Sequence, residues 1–144
     1  MAINGIIIKA VSGFYYVETG NGLFECKARG NFRKIGETPL VGDRVVISDL
    51  SGNKGIVEKI CERKNYLTRP PIANVDKMFI VSSYTTPAPS TLVIDTMTAI
   101  AEDKDIEPII VFNKCDMGDF GDWLKIYSNA GFKTYVVSAE TGEG

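Results

Sequence analysis

The sequence predicts an all-β barrel over residues 1–68 followed by a partial α/β domain over residues 69–144. Three observations carry this. Five short segments rich in β-branched and aromatic residues crowd into about the first 60 positions, with no helical period. After them, apolar runs alternate with helix-period segments in the order strand–helix–strand–helix–strand, the pattern of a parallel α/β sheet. The charge divides in the same place. Residues 1–71 hold 11 Lys/Arg against 7 Asp/Glu, whereas residues 72–144 hold 5 against 11, so a net charge of −2 conceals a basic and an acidic unit. The basic unit is the candidate for a polyanion surface.

In the first unit, Ile3–Lys9 and Phe14–Thr19 read as strands joined through Val11-Ser12-Gly13. Thr19-Gly20-Asn21-Gly22 is a strong hairpin turn, since Asn and Gly tolerate positive φ. Leu23–Ala28 alternates and sets Phe24, Cys26 and Ala28 on one face. After a basic loop, Arg44–Ser48 and Gly55–Lys59 form a second hairpin around Ser51-Gly52-Asn53-Lys54. Five such strands suggest a closed barrel of the OB type. Cys61–Pro71 reads as the linker, with Arg69-Pro70-Pro71 extended and unable to continue a helix.

In the second unit, Lys77–Ser82 is a compact apolar strand, and Ser90 or Thr91 is placed to cap the next helix. Within that helix Val93, Met97, Ile100 and Ala101 recur at helical spacing. Pro108–Phe112 has no alternation and is expected to be buried on both faces. A second helix spans about 120–130, with Gly131 as its left-handed C-cap, and Thr134–Val137 is the third strand. Three parallel strands with two helices do not cover both sheet faces.

Composition excludes several chemistries. The chain has no histidine, so Ser-His-Asp and Cys-His mechanisms and His-ligated zinc are excluded within it. Cys26, Cys61 and Cys115 are odd in number and widely spaced, which fits reduced thiols. No apolar run approaches the roughly 18 residues a membrane span needs, and the start lacks the features of a signal peptide. A cytoplasmic protein with no membrane partner is expected.

The chemistry-bearing motif follows the strand Ile109-Ile110-Val111-Phe112. Asn113-Lys114-Cys115-Asp116 matches Asn-Lys-x-Asp, the guanine-specificity motif of GTPases, and one strand later Ser138-Ala139 matches the Ser-Ala motif that completes the base pocket. Guanine presents N1–H and its 2-amino group side by side, and an ionised carboxylate, being acceptor-only, can take both. Asp116 is therefore the expected base reader. The Lys114 stem is expected over the base plane, Asn113 to tie neighbouring loops, the Ala139 N–H to meet guanine O6, and Ser138 to hold Asp116. Both loops leave the carboxyl ends of parallel strands, where ligands of open α/β sheets bind. The competing reading is a polar turn in which Asp116 caps the following helix.

The segments together resemble the ribosome small-subunit-dependent GTPase A family, circularly permuted GTPases with an N-terminal OB-fold. The resemblance rests on the Phe32-Arg33-Lys34 loop, Pro39-Leu40-Val41-Gly42-Asp43-Arg44-Val45, Arg69–Asp76 and Asn113–Asp116, in that order along the whole chain. It implies GTP binding and hydrolysis with Mg²⁺, GTP and GDP as ligands, and a role in late maturation of the small ribosomal subunit. It also implies that the barrel contacts ribosomal RNA and that a zinc-binding domain follows, its ligands outside this segment. The sequence contains no Gly-x-x-x-x-Gly-Lys-Ser/Thr, so the phosphate cradle is missing. It is expected to be a fragment with no catalytic residue of its own and no GTPase activity alone.

Lys27, Arg29, Arg33 and Lys34 cluster around Phe32, the cations and aromatic expected of an RNA-binding OB surface. The alternative is a solvated loop with Phe32 packed on the barrel. Arg63, Lys64 and Arg69 read as structural. Trp123 and Tyr127 read as helix packing, Cys115 as a small spacer, and Phe14-Tyr15-Tyr16 as strand composition. A second function class, a noncatalytic RNA-binding protein with an α/β interaction platform, is separated from the first by whether a phosphate-binding motif lies downstream in the gene.

Overall fold

The computed structural model describes residues 2–32 and 36–144, which form two compact units, 1–75 and 76–144. In the first, β1 (Ala2–Val11), β2 (Phe14–Thr19), β3 (Gly22–Ala28), β4 (Arg44–Ser51) and β5 (Lys54–Ile60) close a barrel in the order β1-β2-β3-β5-β4. All neighbours are antiparallel except the parallel β3–β5 pair, and β1–β4 completes the ring. The turns follow from their residues. Thr19 Oγ1 accepts the Asn21 N–H at 3.1 Å and donates to the Gly22 carbonyl at 2.8 Å. In the second hairpin Gly52 and Asn53 hold positive φ, as tight hairpins require.

Alternation along the strands fills the barrel with Ile7, Val17, Phe24, Cys26, Val45, Ile47 and Val57, all buried. Burial pushes the Cys26 thiol up to about 11, with the Glu25 charge adding to it, so this cysteine is a neutral packing group.

The two compact units divide at Val75/Asp76. The cause is a short hairpin, β6 (Tyr66–Leu67) with β7 (Ile72–Ala73), fastened to the loop before β4. The Ala73 N–H donates to the Val41 carbonyl at 2.8 Å, and Asn74 Nδ2 donates to the Gly42 carbonyl at 2.9 Å. Gly42 has φ +90°, and a Cβ there would stand 2.1 Å from the Ala73 carbonyl oxygen, so only glycine permits the approach. Beside it Asp43, 0 % exposed, accepts two N–H groups of Arg63 at 2.6 and 2.7 Å and the Leu40 N–H at 2.7 Å. The expected linker is thus an integral strap on the barrel.

In the second unit, β8 (Lys77–Ser83), β9 (Glu107–Asn113) and β10 (Lys133–Val137) form a parallel sheet in the order β10-β9-β8. The crossovers are α1 (Thr91–Asp103) and α2 (Gly121–Asn129). Ile80, Ile110 and Phe112 meet Ile94, Phe120 and Tyr127 in one core. The opposite face leaves Phe79 63 %, Val81 61 % and Tyr135 53 % exposed, as expected for three strands with two helices. β9 is the central strand, with Ile109, Ile110 and Phe112 all buried.

Two helix details differ from expectation. α1 buries Ile94, Thr98 and Ala101, while Val93, Met97 and Ile100 stay exposed, because the stripe facing the sheet is offset by about one residue. Ser90 occupies the N-cap position with no side-chain cap bond. Gly131 follows α2 with φ +92°, as expected of its left-handed turn.

Trp123 and Tyr127 pack in the core, their rings stacked at 6.5 Å. The Tyr127 hydroxyl donates to Asp95 Oδ1 at 2.9 Å and couples the helices. Burial first, then the Asp95 carboxylate, pushes Tyr127 up to about 12. A phenol raised in the folded state contributes stability that is present below the unfolded value near 10 and lost as pH rises through 12. Alkaline unfolding of this unit is therefore expected to steepen between about pH 10 and 12, and Tyr127→Phe to flatten that limb, read by circular dichroism. Among the described residues no helix is long and apolar enough to cross a membrane.

Candidate functional site

The parallel register brings Ser83, Asn113 and Val137 level at the carboxyl ends of the three strands. Loops carrying the two motifs leave from this edge. Lys114 has φ +69°, ψ +42°, a left-handed conformation costing roughly 1 kcal/mol for a side-chain-bearing residue. It is held by Asn113 Oδ1, which accepts the Lys114 N–H at 2.8 Å. The next turn, Cys115–Met117, is a 3₁₀ turn closed by the Met117 N–H on the Lys114 carbonyl at 3.0 Å.

Asn113 Oδ1 also accepts the Ala139 N–H from the β10 loop at 3.0 Å, so one carboxamide joins both motifs. That N–H, expected to face guanine O6, is thus directed at the nearest acceptor. A base that takes it has to share it with Asn113. The second link is shorter. Buried Ser138 donates its Oγ–H to Asp116 Oδ1 at 2.5 Å. Its own position is fixed by three further bonds: Thr141 N–H to Ser138 Oγ at 3.2 Å, Gly142 N–H to its carbonyl at 2.8 Å, and Ser138 N–H to the Glu143 carbonyl at 2.8 Å.

Asp116 is exposed and makes no ion pair among the described residues. One carboxylate oxygen is oriented by Ser138, and the group stays open to donors from solvent. It does not cap α2; Asp119 takes the Gly121 N–H at 2.9 Å instead. The half-buried Cys115 thiol is raised by desolvation, then by the Glu143 and Asp116 charges, and stays a neutral spacer.

Sequence reasoning missed the wall behind the motif. The Tyr84 N–H donates to the Asn113 carbonyl at 3.1 Å, and the Tyr84 ring fills the space where a Gly118 Cβ would stand, 1.9 Å from the nearest ring atom. Nothing in local periodicity marks a tyrosine 34 positions from the glycine it covers.

The barrel candidates divide. Lys27 is exposed, its Nζ 5.1 Å from the Phe14 ring centre, and Arg29 donates to Glu58 at 2.7 Å. Phe32 is 7 % exposed and packs into the barrel core, so its ring is not offered to a base. Its aromatic surface goes where apolar area is best removed from water. Arg33 and Lys34 lie outside the described residues. Among the described residues no three His, Cys, Asp or Glu side chains converge.

A closed barrel followed by an α/β unit of this kind is the arrangement of the circularly permuted GTPases. The solved structure of YloQ, described by that term, matches with 38 % identity and a TM-score of 0.80 over 97 % of this chain and 53 % of that one. YjeQ from Thermotoga maritima matches with 33 % identity and a TM-score of 0.85 over 100 % and 54 %. The models of the RsgA N-terminal domain and the RsgA GTPase match residues 4–57 and 60–144. The chain belongs to the RsgA family. It is 41 % identical over 145 residues to the small ribosomal subunit biogenesis GTPase RsgA of Caldanaerobacter subterraneus subsp. tengcongensis, covering 99 % of this chain and 49 % of that protein. The chain spans about half the length of the curated relatives it matches.

Proposed function

We propose that this chain is the guanine-reading, RNA-contacting N-terminal half of a cytoplasmic factor that binds and hydrolyses GTP during maturation of the small ribosomal subunit. The observation that carries the reading is the Ser138–Asp116 hydrogen bond, which orients an exposed carboxylate at the edge of a parallel sheet. In this reading Asp116 takes guanine N1–H and the 2-amino group. The Lys114 stem covers the ring, Asn113 and Ser138 hold the loops in register, and the Ala139 N–H is shared with O6. The barrel meets ribosomal RNA, with Lys27 and Arg29 as phosphate contacts and Arg33 and Lys34 as further candidates.

Phosphate binding, Mg²⁺ and hydrolysis belong to residues beyond this sequence, and so do the zinc ligands the family resemblance implies. No Gly-x-x-x-x-Gly-Lys-Ser/Thr is present to cradle a triphosphate. The 144-residue chain is therefore expected to release no phosphate from GTP above the uncatalysed rate, while the protein extended through its phosphate-binding motif turns over. Steady-state phosphate release from the two purified forms checks this. Turnover by the 144-residue form overturns the division of labour.

A further inference from the structure

The turn that carries Asp116 is too short to hold its own geometry. Cys115–Met117 is a single 3₁₀ turn without a side-chain cap, and its exit bond, from the Gly118 N–H to the Cys115 carbonyl, is long at 3.4 Å. Ser138 orients one carboxylate oxygen of Asp116. A base with two adjacent donors needs the second oxygen placed as well, and that depends on where the backbone of the turn stands. The other support is Tyr84, the first residue after β8. Its N–H donates to the Asn113 carbonyl at 3.1 Å, and its ring meets Phe120 edge-on at 5.4 Å. Phe120 in turn stacks on Phe112 at 5.0 Å, and both are buried, so the Tyr84 ring is anchored to the core. The far end of the ring abuts Gly118, where a Cβ would stand 1.9, 2.2 and 2.4 Å from Cζ, Cε1 and Cε2. Gly118 has φ 168° and ψ 177°, extended backbone open to any residue, so it is the ring that demands glycine there.

We propose that Tyr84 is a positioning residue for guanine recognition: its ring is the backstop that fixes the Lys114–Gly118 turn, so that both Asp116 oxygens meet N1–H and the 2-amino group together. This rests on the reading that Asp116 accepts from guanine. Without the ring, the turn is free to move into the space it leaves, while Ser138 still holds one oxygen. The carboxylate then tilts and makes only one of its two bonds well. A carboxylate limited to one bond treats guanine and hypoxanthine alike, because N1–H is common to both. The loss therefore falls on discrimination between bases, which packing alone does not control. Tyr84 is 39 % exposed, so shortening it costs the core little.

The test is displacement of a fluorescent GDP from the full-length protein by GDP and by inosine diphosphate, which lacks the 2-amino group. Tyr84→Ala is expected to weaken GDP about tenfold and to narrow its advantage over inosine diphosphate by roughly threefold or more. Tyr84→Phe keeps the ring and is expected to leave both affinities within about twofold. Gly118→Ala drives a methyl group into the ring and is expected to narrow the advantage as well. Tyr84→Ala/Gly118→Ala is then no worse than either single change, because the contact between the two is already gone. Melting curves check that each variant is folded, and if Tyr84→Ala is not, Gly118→Ala against Tyr84→Phe decides. An advantage for GDP that is unchanged in Tyr84→Ala and Gly118→Ala overturns the proposal and leaves the reading of Asp116 standing. A loss in Tyr84→Phe equal to that in Tyr84→Ala moves the effect to the hydroxyl and overturns the ring as the support. Equal affinity of the unsubstituted protein for the two nucleotides overturns both.

Discussion

Replacing Asp116 with asparagine in the full-length protein is expected to weaken GTP by about 10²-fold or more and to make xanthosine triphosphate the better ligand. The carboxylate only accepts, so it matches the two adjacent donors of guanine. An amide turns one of those acceptors into a donor and sets it against the guanine 2-amino group. The 2-oxo group of xanthine accepts where guanine donates, and the mismatch is relieved. Sites built to bond a polar group discriminate by roughly 10⁴, so the reversal is large even when part of that is lost. The Ser138 bond at 2.5 Å predicts a smaller companion effect. Ser138→Ala removes the orientation of Asp116 but not its charge, so GTP weakens about tenfold and the preference for guanine persists. Competition binding with both triphosphates measures each outcome. An Asp116→Asn protein that keeps its full preference for GTP removes Asp116 from the base site.

The second large effect concerns the barrel. Arg63→Met is expected to destabilise the first unit by about 3–5 kcal/mol, because it strands the fully buried Asp43 carboxylate without its cation. A unit of this size has of order 10 kcal/mol of stability or less, and about 1 kcal/mol moves its Tm by roughly 4–8 °C. The melting temperature is expected to fall by 12 °C or more. Replacing both partners, Asp43→Leu with Arg63→Met, removes the unpaired charge and is expected to recover most of the loss. If Arg63→Met melts within about 3 °C of the unsubstituted protein, the pair is not the clamp of the strap.

Much of this was legible in the residues. Alternation in Leu23–Ala28 placed Phe24 and Cys26 inside, and both are buried. The unbroken apolar run Ile109–Phe112 marked the central strand, and the strand–helix order fixed a parallel sheet. What escaped depends on contacts between distant positions. The linker could not be recognised as a strap, because its hold on the barrel is the pairing of Ala73 and Asn74 with residues 41 and 42. The buried face of α1 could not be chosen from the residues because apolar side chains occupy two neighbouring stripes: of Val93, Met97, Ile100 and Ala101 only Ala101 is buried, and packing selects Ile94–Thr98–Ala101. Phe32 reads as a stacking ring in a basic loop and as a core residue equally well until its surroundings are known. At the candidate site the approach of Asn113–Asp116 to Ser138–Ala139 was readable, but the sharing of the Ala139 N–H by Asn113 was not, since it joins side chain to backbone across two loops.

The most direct measurement is the equilibrium affinity of the unsubstituted full-length protein for inosine diphosphate against GDP. Inosine keeps N1–H and O6 and lacks only the 2-amino group. If the Asp116 carboxylate takes both donors, losing one bond to a charged acceptor costs about 1.5–3 kcal/mol, and inosine diphosphate binds roughly 10- to 150-fold more weakly. Equal affinity for the two nucleotides would contradict the assignment of Asp116 as the reader of guanine.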